Sequence, residues 1–150
     1  MNASDVELDK LKSLAFFRAL TVDEIRQFVD ISQEKTYEEG QEIFQRGSPG
    51  DTIYIIKSGE VAIISVKAGQ SHEIARLSVG DFFGEIAFFA EVLRTATAKV
   101  VKRAVIFEIS RAGFNDFIFS KSAIGVKIFY HIIGILTRRL RANVRTGDQL

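Results

Sequence analysis

The chain is 150 residues long, 47% hydrophobic and 26% charged, with a formal net charge of +1. That is one domain's worth of ordinary globular composition, long enough to bury a core, and the charge gives no push towards nucleic acid or a membrane surface. With no cysteine there is no disulfide, thiolate metal site or iron–sulfur centre, which suits a reducing compartment.

The opening Met1-Asn2-Ala3-Ser4-Asp5 is polar and acidic, unlike a signal peptide, so a cytoplasmic protein is expected. Leu8, Leu11, Leu14 and Ala15 recur at helical spacing. Thr21-Val22-Asp23-Glu24 reads as an N-cap with an acidic first turn, ahead of Ile25, Phe28 and Val29. Two short amphipathic helices are predicted over 8–31. The thirteen phenylalanines are spread over helix-like and strand-like segments alike, which makes them core filling more than a nucleic-acid platform.

From Glu34 to Ser110 the period becomes that of strands, with glycines at 40, 47, 50, 59, 69, 80 and 84. Ile53–Ile56, Val61–Val66 and Val105–Ile109 sit between these turns at the spacing of an antiparallel barrel or jelly roll. Pro49-Gly50-Asp51 reads as a tight turn. The glycines up to Gly80 read as turn formers and not as ligand contacts.

The stretch from Phe83 to Thr97 carries the chemistry. Gly84 falls where a strand run ends and a brief helical run begins, so the N–H groups of Ile86 and Ala87 would point outward at the positive end of a helix dipole. Arg94, nine residues after Glu85, offers a planar fork for two phosphate oxygens, and Glu85 is an acceptor-only group suited to a sugar hydroxyl. The same residues also fit a turn with a surface ion pair, worth ~0–1 kcal/mol.

Gly84-Glu85-Ile86-Ala87 followed by Arg94-Thr95-Ala96-Thr97 resembles the phosphate-binding cassette of cyclic nucleotide-binding domains, a family that includes catabolite activator protein, cyclic-AMP-dependent kinase regulatory subunits and cyclic-nucleotide-gated channels. Leu93 stands where many members carry proline. Phe17-Arg18-Ala19-Leu20-Thr21 resembles the family's opening helices. Gly40-Gln41-Glu42-Ile43-Phe44, Gly50-Asp51 and Ile55-Ile56-Lys57-Ser58-Gly59-Glu60-Val61 resemble its roll, so the likeness spans roughly Leu8 to Leu140. It implies an α+β, mainly β fold: an antiparallel β-roll (double-stranded jelly roll) over 34–110, short N-terminal helices, a short helix inside the cassette at 83–97 and a long C-terminal helix. It also implies cyclic AMP or cyclic GMP as ligand, with no cofactor and a site built from Phe83, Gly84, Glu85, Ile86, Ala87, Arg94, Thr95 and Ala96. Arg94 and the N–H groups after Glu85 would hold the cyclic phosphate and Glu85 the ribose 2′-OH. Thr95 would lie beside phosphate and base, permitting either purine.

Arg111–Ser120 reads as a short helix with Phe114, Phe117 and Ile118 inward, and a long helix follows from about Ala123 to Val144. Val126, Phe129, Ile133, Leu136 and Leu140 follow alternating steps of three and four, with Ile128, Ile132 and Ile135 alongside. The wide face fits a monomer's barrel, or one stripe on the barrel and one on a second subunit; the resemblance implies a homodimer through helix 123–145. No membrane span is expected, because the apolar part falls short of ~20 residues and contains Lys127 and His131. Arg138-Arg139-Leu140-Arg141-Ala142-Asn143-Val144-Arg145 reads either as a solvated helix end favoured by the dipole or as a lid over the ligand. By resemblance the lid residue touching the purine is Asn143, with Arg139 and Arg141 as competitors.

His72 and His131 have no neighbours at metal-ligand spacing, so no metal site is expected. No nucleophile, base and orienting group converge near the cassette, so no enzyme is expected. Family transcription factors continue into a helix-turn-helix beyond the point where this chain reaches Leu150, so no DNA binding is expected within it. Residues 1–150 thus read as a single cyclic nucleotide-binding module that acts on an effector protein in trans. The rivals are a ligand-silent roll serving as a dimerisation or interaction scaffold, and a sensor of another small anionic effector.

Overall fold

The computed structural model describes residues 5–146, with side chains described through 142. Two long strands organise the sheet: β3 (Thr52–Lys67) and β6 (Thr97–Ser110), as the ordering β1-β6-β3-β4 makes clear once β1 (Gln33–Tyr37), β2 (Glu42–Phe44), β4 (Gln70–Leu77) and β5 (Phe82–Phe83) are placed. Every pairing is antiparallel. Each long strand serves two partners. The first part of β3 takes β5 and its second part β4, while β6 takes β2 near its start and β1 towards its end. The register between β3 and β6 slips repeatedly between Ile56 and Val61, and such bulges bend a strand. One sheet therefore curls into a roll.

Alternation along the strands builds two cores. Ile53 and Ile55 on β3, Phe82 on β5, and Phe107 and Ile109 on β6 face a helical layer. Their neighbours Tyr54, Ile56, Phe83, Ala104 and Ile106 face the inside of the roll. With both faces covered, the runs are apolar throughout rather than alternating with polar residues.

The helical layer comprises α1 (Asp5–Lys12), a 3₁₀ turn (Ala15–Phe17), α2 (Val22–Val29), α4 (Arg111–Ser120) and α5 (Ser122–Thr146). Thr21 is the expected N-cap of α2, and with Glu24 it closes a capping box. Phenylalanines knit the layer: Phe28 meets Phe16, Phe17, Phe114 and Phe117 at ring-centroid distances of 5.6–6.4 Å. Lys57 of β3 binds Glu34 at 2.6 Å and also pairs with Glu7 of α1, tying the opening helix to the roll.

Two expectations about turns need correction. Gly59 is not at a hairpin. Ile53–Ile56 and Val61–Val66 belong to one strand, and Gly59, at φ +93°, occupies its bend, where a Cβ would run into the Arg103 carbonyl and Ala104. The hydrogen-bonded turn assigned to Pro49-Gly50-Asp51 lies earlier, where Ser48 N–H donates to the Gln45 carbonyl at 3.2 Å. A glycine at Gly47, with φ +84°, makes that earlier turn possible.

α5 begins and ends within two residues of expectation, and its two stripes separate. Ile128 and Ile132 are buried on the layer, whereas Val126 and Ile133 are 64% and 61% exposed. Three polar contacts fasten the inward side: Lys127 Nζ to Glu24 at 2.8 Å, His131 Nε2 to the Ala15 carbonyl, and Arg139 Nη2 to the Phe82 carbonyl at 2.8 Å. Among the described residues no helix is long and apolar enough to cross a membrane.

Candidate functional site

The cassette leaves the roll at Phe83, whose ring stacks on Tyr54 at 5.0 Å. Gly84 follows at φ +80° and caps α3 (Glu85–Ala90). A Cβ there would come within 2.9 Å of Arg94 Nη1 and 3.0 Å of the Tyr54 ring, so both the backbone turn and the close approach call for glycine. Ala87 is buried and Ile86 exposed. The first-turn N–H groups of a helix have no intrahelical acceptors, which leaves those of Glu85, Ile86 and Ala87 for outside partners. Glu91 closes α3 in the left-handed region at φ +55°.

Arg94 is fixed by its main chain before its side chain is considered. Its N–H donates to the Ser48 carbonyl and its carbonyl accepts from Gly47, both at 2.8 Å. The side chain then turns inward, and the residue is 4% exposed. Nη1 donates to the Gly84 carbonyl and Nη2 to the Thr52 carbonyl, each at 3.0 Å. The guanidinium carbon lies 4.2 Å from the Phe44 ring centroid and 5.6 Å from that of Tyr54, a cation against aromatic faces. Gly50 lies flat against it, since a Cβ at that position would overlap the guanidinium.

Among the described residues this cation makes no ion pair, and its Nε is buried without a hydrogen-bond partner. Burial pushes its pKa down, Tyr54 and Asp51 draw it up, and Arg111 pushes it down again. A guanidinium stays protonated through such shifts. Leaving a buried charge unpaired is costly, and the obvious remedy is an anion. The residues present therefore suit a phosphate.

Glu85 is largely shielded, its side chain 18% exposed, and Arg139 Nη1 of α5 stands 3.6 Å from its Oε1. Among the described residues Arg139 thus reaches the cassette from α5, as does Phe129, whose ring lies 6.4 Å from that of Phe89. Arg141 is exposed, and the side chain of Asn143 lies outside the described residues. Thr95 is exposed and Ala96 buried; Thr97 Oγ1 accepts from the Arg46 N–H at 3.0 Å, pinning the end of the cassette. The structure therefore gathers Phe83–Ala87 and Arg94 around one point, with Thr95 and Ala96 following Arg94 along the chain. A cleft of about 340 Å³ with Arg139 in its wall opens between Gly80–Phe82 and the 135–142 stretch of α5. No group of described residues could hold a metal ion.

Sequence reasoning missed Phe44, Tyr54, Thr52 and Gly50 as the walls around Arg94. It also missed Arg111, whose side chain folds back on α3. Alternation along β3 could have put Tyr54 inside the roll, but nothing local marks a backbone carbonyl such as that of Thr52 as an arginine's acceptor.

A roll with helices on one side, a short helix opened by glycine and a buried arginine aimed at it define a small-anion binding module. A family model described as the cyclic nucleotide-binding domain matches residues 34–121, and the chain belongs to that family. It is 38% identical over 91 residues to the cGMP-dependent protein kinase, isozyme 2 forms cD5/T2, of Drosophila melanogaster, a match covering 59% of this chain and 10% of that protein. Among solved structures, the catabolite activator protein of Thermus thermophilus superimposes with a TM-score of 0.78 at 26% identity, covering 89% of this chain and 62% of that one. The regulatory domain of Toxoplasma gondii PKA with cAMP gives 0.65 at 26% identity, covering 75% and 43%. The chain spans 8–31% of the length of the curated relatives it matches.

Proposed function

We propose that the chain is a cyclic nucleotide sensor module that binds cyclic AMP or cyclic GMP in the cassette. The observation that carries this reading is Arg94: a buried guanidinium that has no carboxylate partner, and an Nε with no hydrogen-bond partner, among the described residues, beside the open end of α3. Its fork now rests on two backbone carbonyls. A cyclic phosphate offers charged acceptors in their place, and hydrogen bonds to charged groups are the stronger kind. The N–H groups of Ile86 and Ala87 complete the phosphate cradle, Phe83, Gly84 and Ala96 form its walls, and Thr95 adds a hydroxyl that suits either purine.

Glu85 is the acceptor for the ribose 2′-OH, and the same carboxylate faces Arg139. Ligand and α5 therefore meet at the same carboxylate. Binding shifts α5 between positions to the extent that the ligand prefers one of them, and Asn143, one turn beyond Arg139, is the residue proposed to close over the base. The output passes to a partner protein in trans, with a second copy docked on the outer stripe of α5. No chemistry is performed on the ligand.

Calorimetric titration with cyclic AMP and then cyclic GMP, on protein refolded free of bound nucleotide, tests the reading. Micromolar or tighter binding, about −8 kcal/mol or better, that is lost in Arg94→Ala supports it and names the nucleotide. Absence of heat with both nucleotides sinks it and leaves a ligand-silent scaffold, or a sensor of another anion.

A further inference from the structure

Arg111 opens α4 and makes none of the ligand contacts proposed above, yet its guanidinium turns back onto the cassette. Nε donates to the Phe88 carbonyl at 2.8 Å and Nη2 to the Ala87 carbonyl at 3.0 Å, both in the last turns of α3. The same Nη2 lies 3.4 Å from the Gly50 carbonyl, and Nη1 stands 3.9 Å from Glu91 Oε1. The main chain joins in, since the Arg111 N–H donates to the Asp51 carbonyl at 2.7 Å.

These contacts answer a structural need. The last carbonyls of a helix carry the negative end of its dipole, so a cation is favoured there; Arg111 supplies a donor to the Phe88 carbonyl and a second one to the Ala87 carbonyl, which also accepts from the Glu91 N–H at 3.1 Å. α3 has six residues and a C-cap in the left-handed region, too short to hold its own shape unaided. Gly50, the second anchor, is the residue that lies against the Arg94 guanidinium. One side chain therefore fixes two walls of the site: the helix that presents its N–H groups to the anion, and the strip of main chain behind the arginine. It does so from the first residue of α4, whose Phe114 touches Phe88 at 5.2 Å and Phe129 of α5 at 5.7 Å.

We propose that Arg111 is the positioning residue of the anion cassette, holding α3 and the Gly50 wall in one geometry and coupling displacement of α3 to α4 and α5. Its effect on affinity rests on the cyclic nucleotide reading above; its effect on the cassette does not.

The test uses the full chain as parent, Arg111→Ala and Arg111→Lys, with two readouts. The first is amide hydrogen exchange without ligand. In Arg111→Ala the amides of residues 85–93 should exchange faster while those of β3 and β6 keep parental protection. The second is calorimetric affinity for cyclic AMP and cyclic GMP, which should fall roughly ten- to a hundredfold in Arg111→Ala, the span of a lost charge-assisted hydrogen bond. Arg111→Lys should fall between, because it restores the charge without the fork. Parental affinity in Arg111→Ala overturns the proposal, and so does exchange that rises evenly across the roll, the mark of a merely structural residue. Should the parent bind neither nucleotide, the ligand reading fails, and the exchange pattern alone then decides whether Arg111 holds the cassette.

Discussion

A methyl group is the smallest probe of how the buried arginine is held. Gly50 has no Cβ and Arg94 uses that space. Gly50→Ala should displace the flexible end of Arg94 without disturbing the roll's main chain. Stability should change by about 1 kcal/mol, the scale of one off-rotamer side chain, while nucleotide affinity falls at least about tenfold, one 1.4 kcal/mol step. Denaturant midpoints and titration on the same preparation separate the two effects, and unchanged affinity would show that Arg94 does not hold the ligand from this position. That Arg94 turns back onto the start of α3 beside Glu85 was legible in the sequence, because the two residue types at a nine-residue spacing on either side of a short helical run are what an anion cassette would need. Arg111 was not, because an arginine at a helix start is unremarkable until tertiary folding brings the far end of another helix to it. The same holds for Phe44 and Tyr54, which read as strand residues and become the walls around a cation only when β2 and β3 curl together.

At the scale of elements, α5 is fastened to the N-terminal helices as well as to the cassette. Glu24 is central, because its Oε1 accepts from both the Thr21 N–H of the α2 cap and Lys127 Nζ of α5. The Lys127 hydrogen bond, followed by that of Thr21, holds the Glu24 carboxyl below its usual range. Since its folded pKa is depressed, the stabilisation is present above the ordinary carboxylate pKa and is lost as pH falls through the lower folded value. Glu24→Gln should therefore be less stable than the parent by roughly 0.5–1 kcal/mol at neutral pH, with the gap closing on acidification. Urea melts across that pH range measure it, and a gap that persists in acid would mean the carboxylate's charge is not the source. Helix placement came through well from periodicity, down to the Thr21 N-cap of α2. Strand placement came through less well: glycine marked Gly59 as a place where the chain changes direction, but a bend within a continuous strand and a hairpin between two strands leave the same local signature.

For the molecule as a whole, the outer stripe of α5 is the feature the roll leaves uncovered. Val126, Ile133 and Leu140 recur every seven residues and are exposed, while Phe129 and Leu136 between them turn partly inward, Phe129 against Phe114 and Leu136 against the helical core. Spacing of this kind is what a two-helix contact with a second copy would use. The parent should sediment as a dimer and Ile133→Glu as a monomer with an unchanged circular dichroism spectrum; a monomeric parent at micromolar concentration would remove self-association from the proposed output.

The sheet order has a further consequence, for the making of the protein. β1 and β2 both take β6 as their partner, so Gln33 must wait for Glu108 and Glu42 for Lys99. On the ribosome these strands emerge well before the one that completes them. The β3–β4 hairpin can zip up by itself, but the remaining pairings join distant parts of the chain, and loop entropy is lost before they form. Folding should accordingly fall in the slower half of the range for a domain of this size.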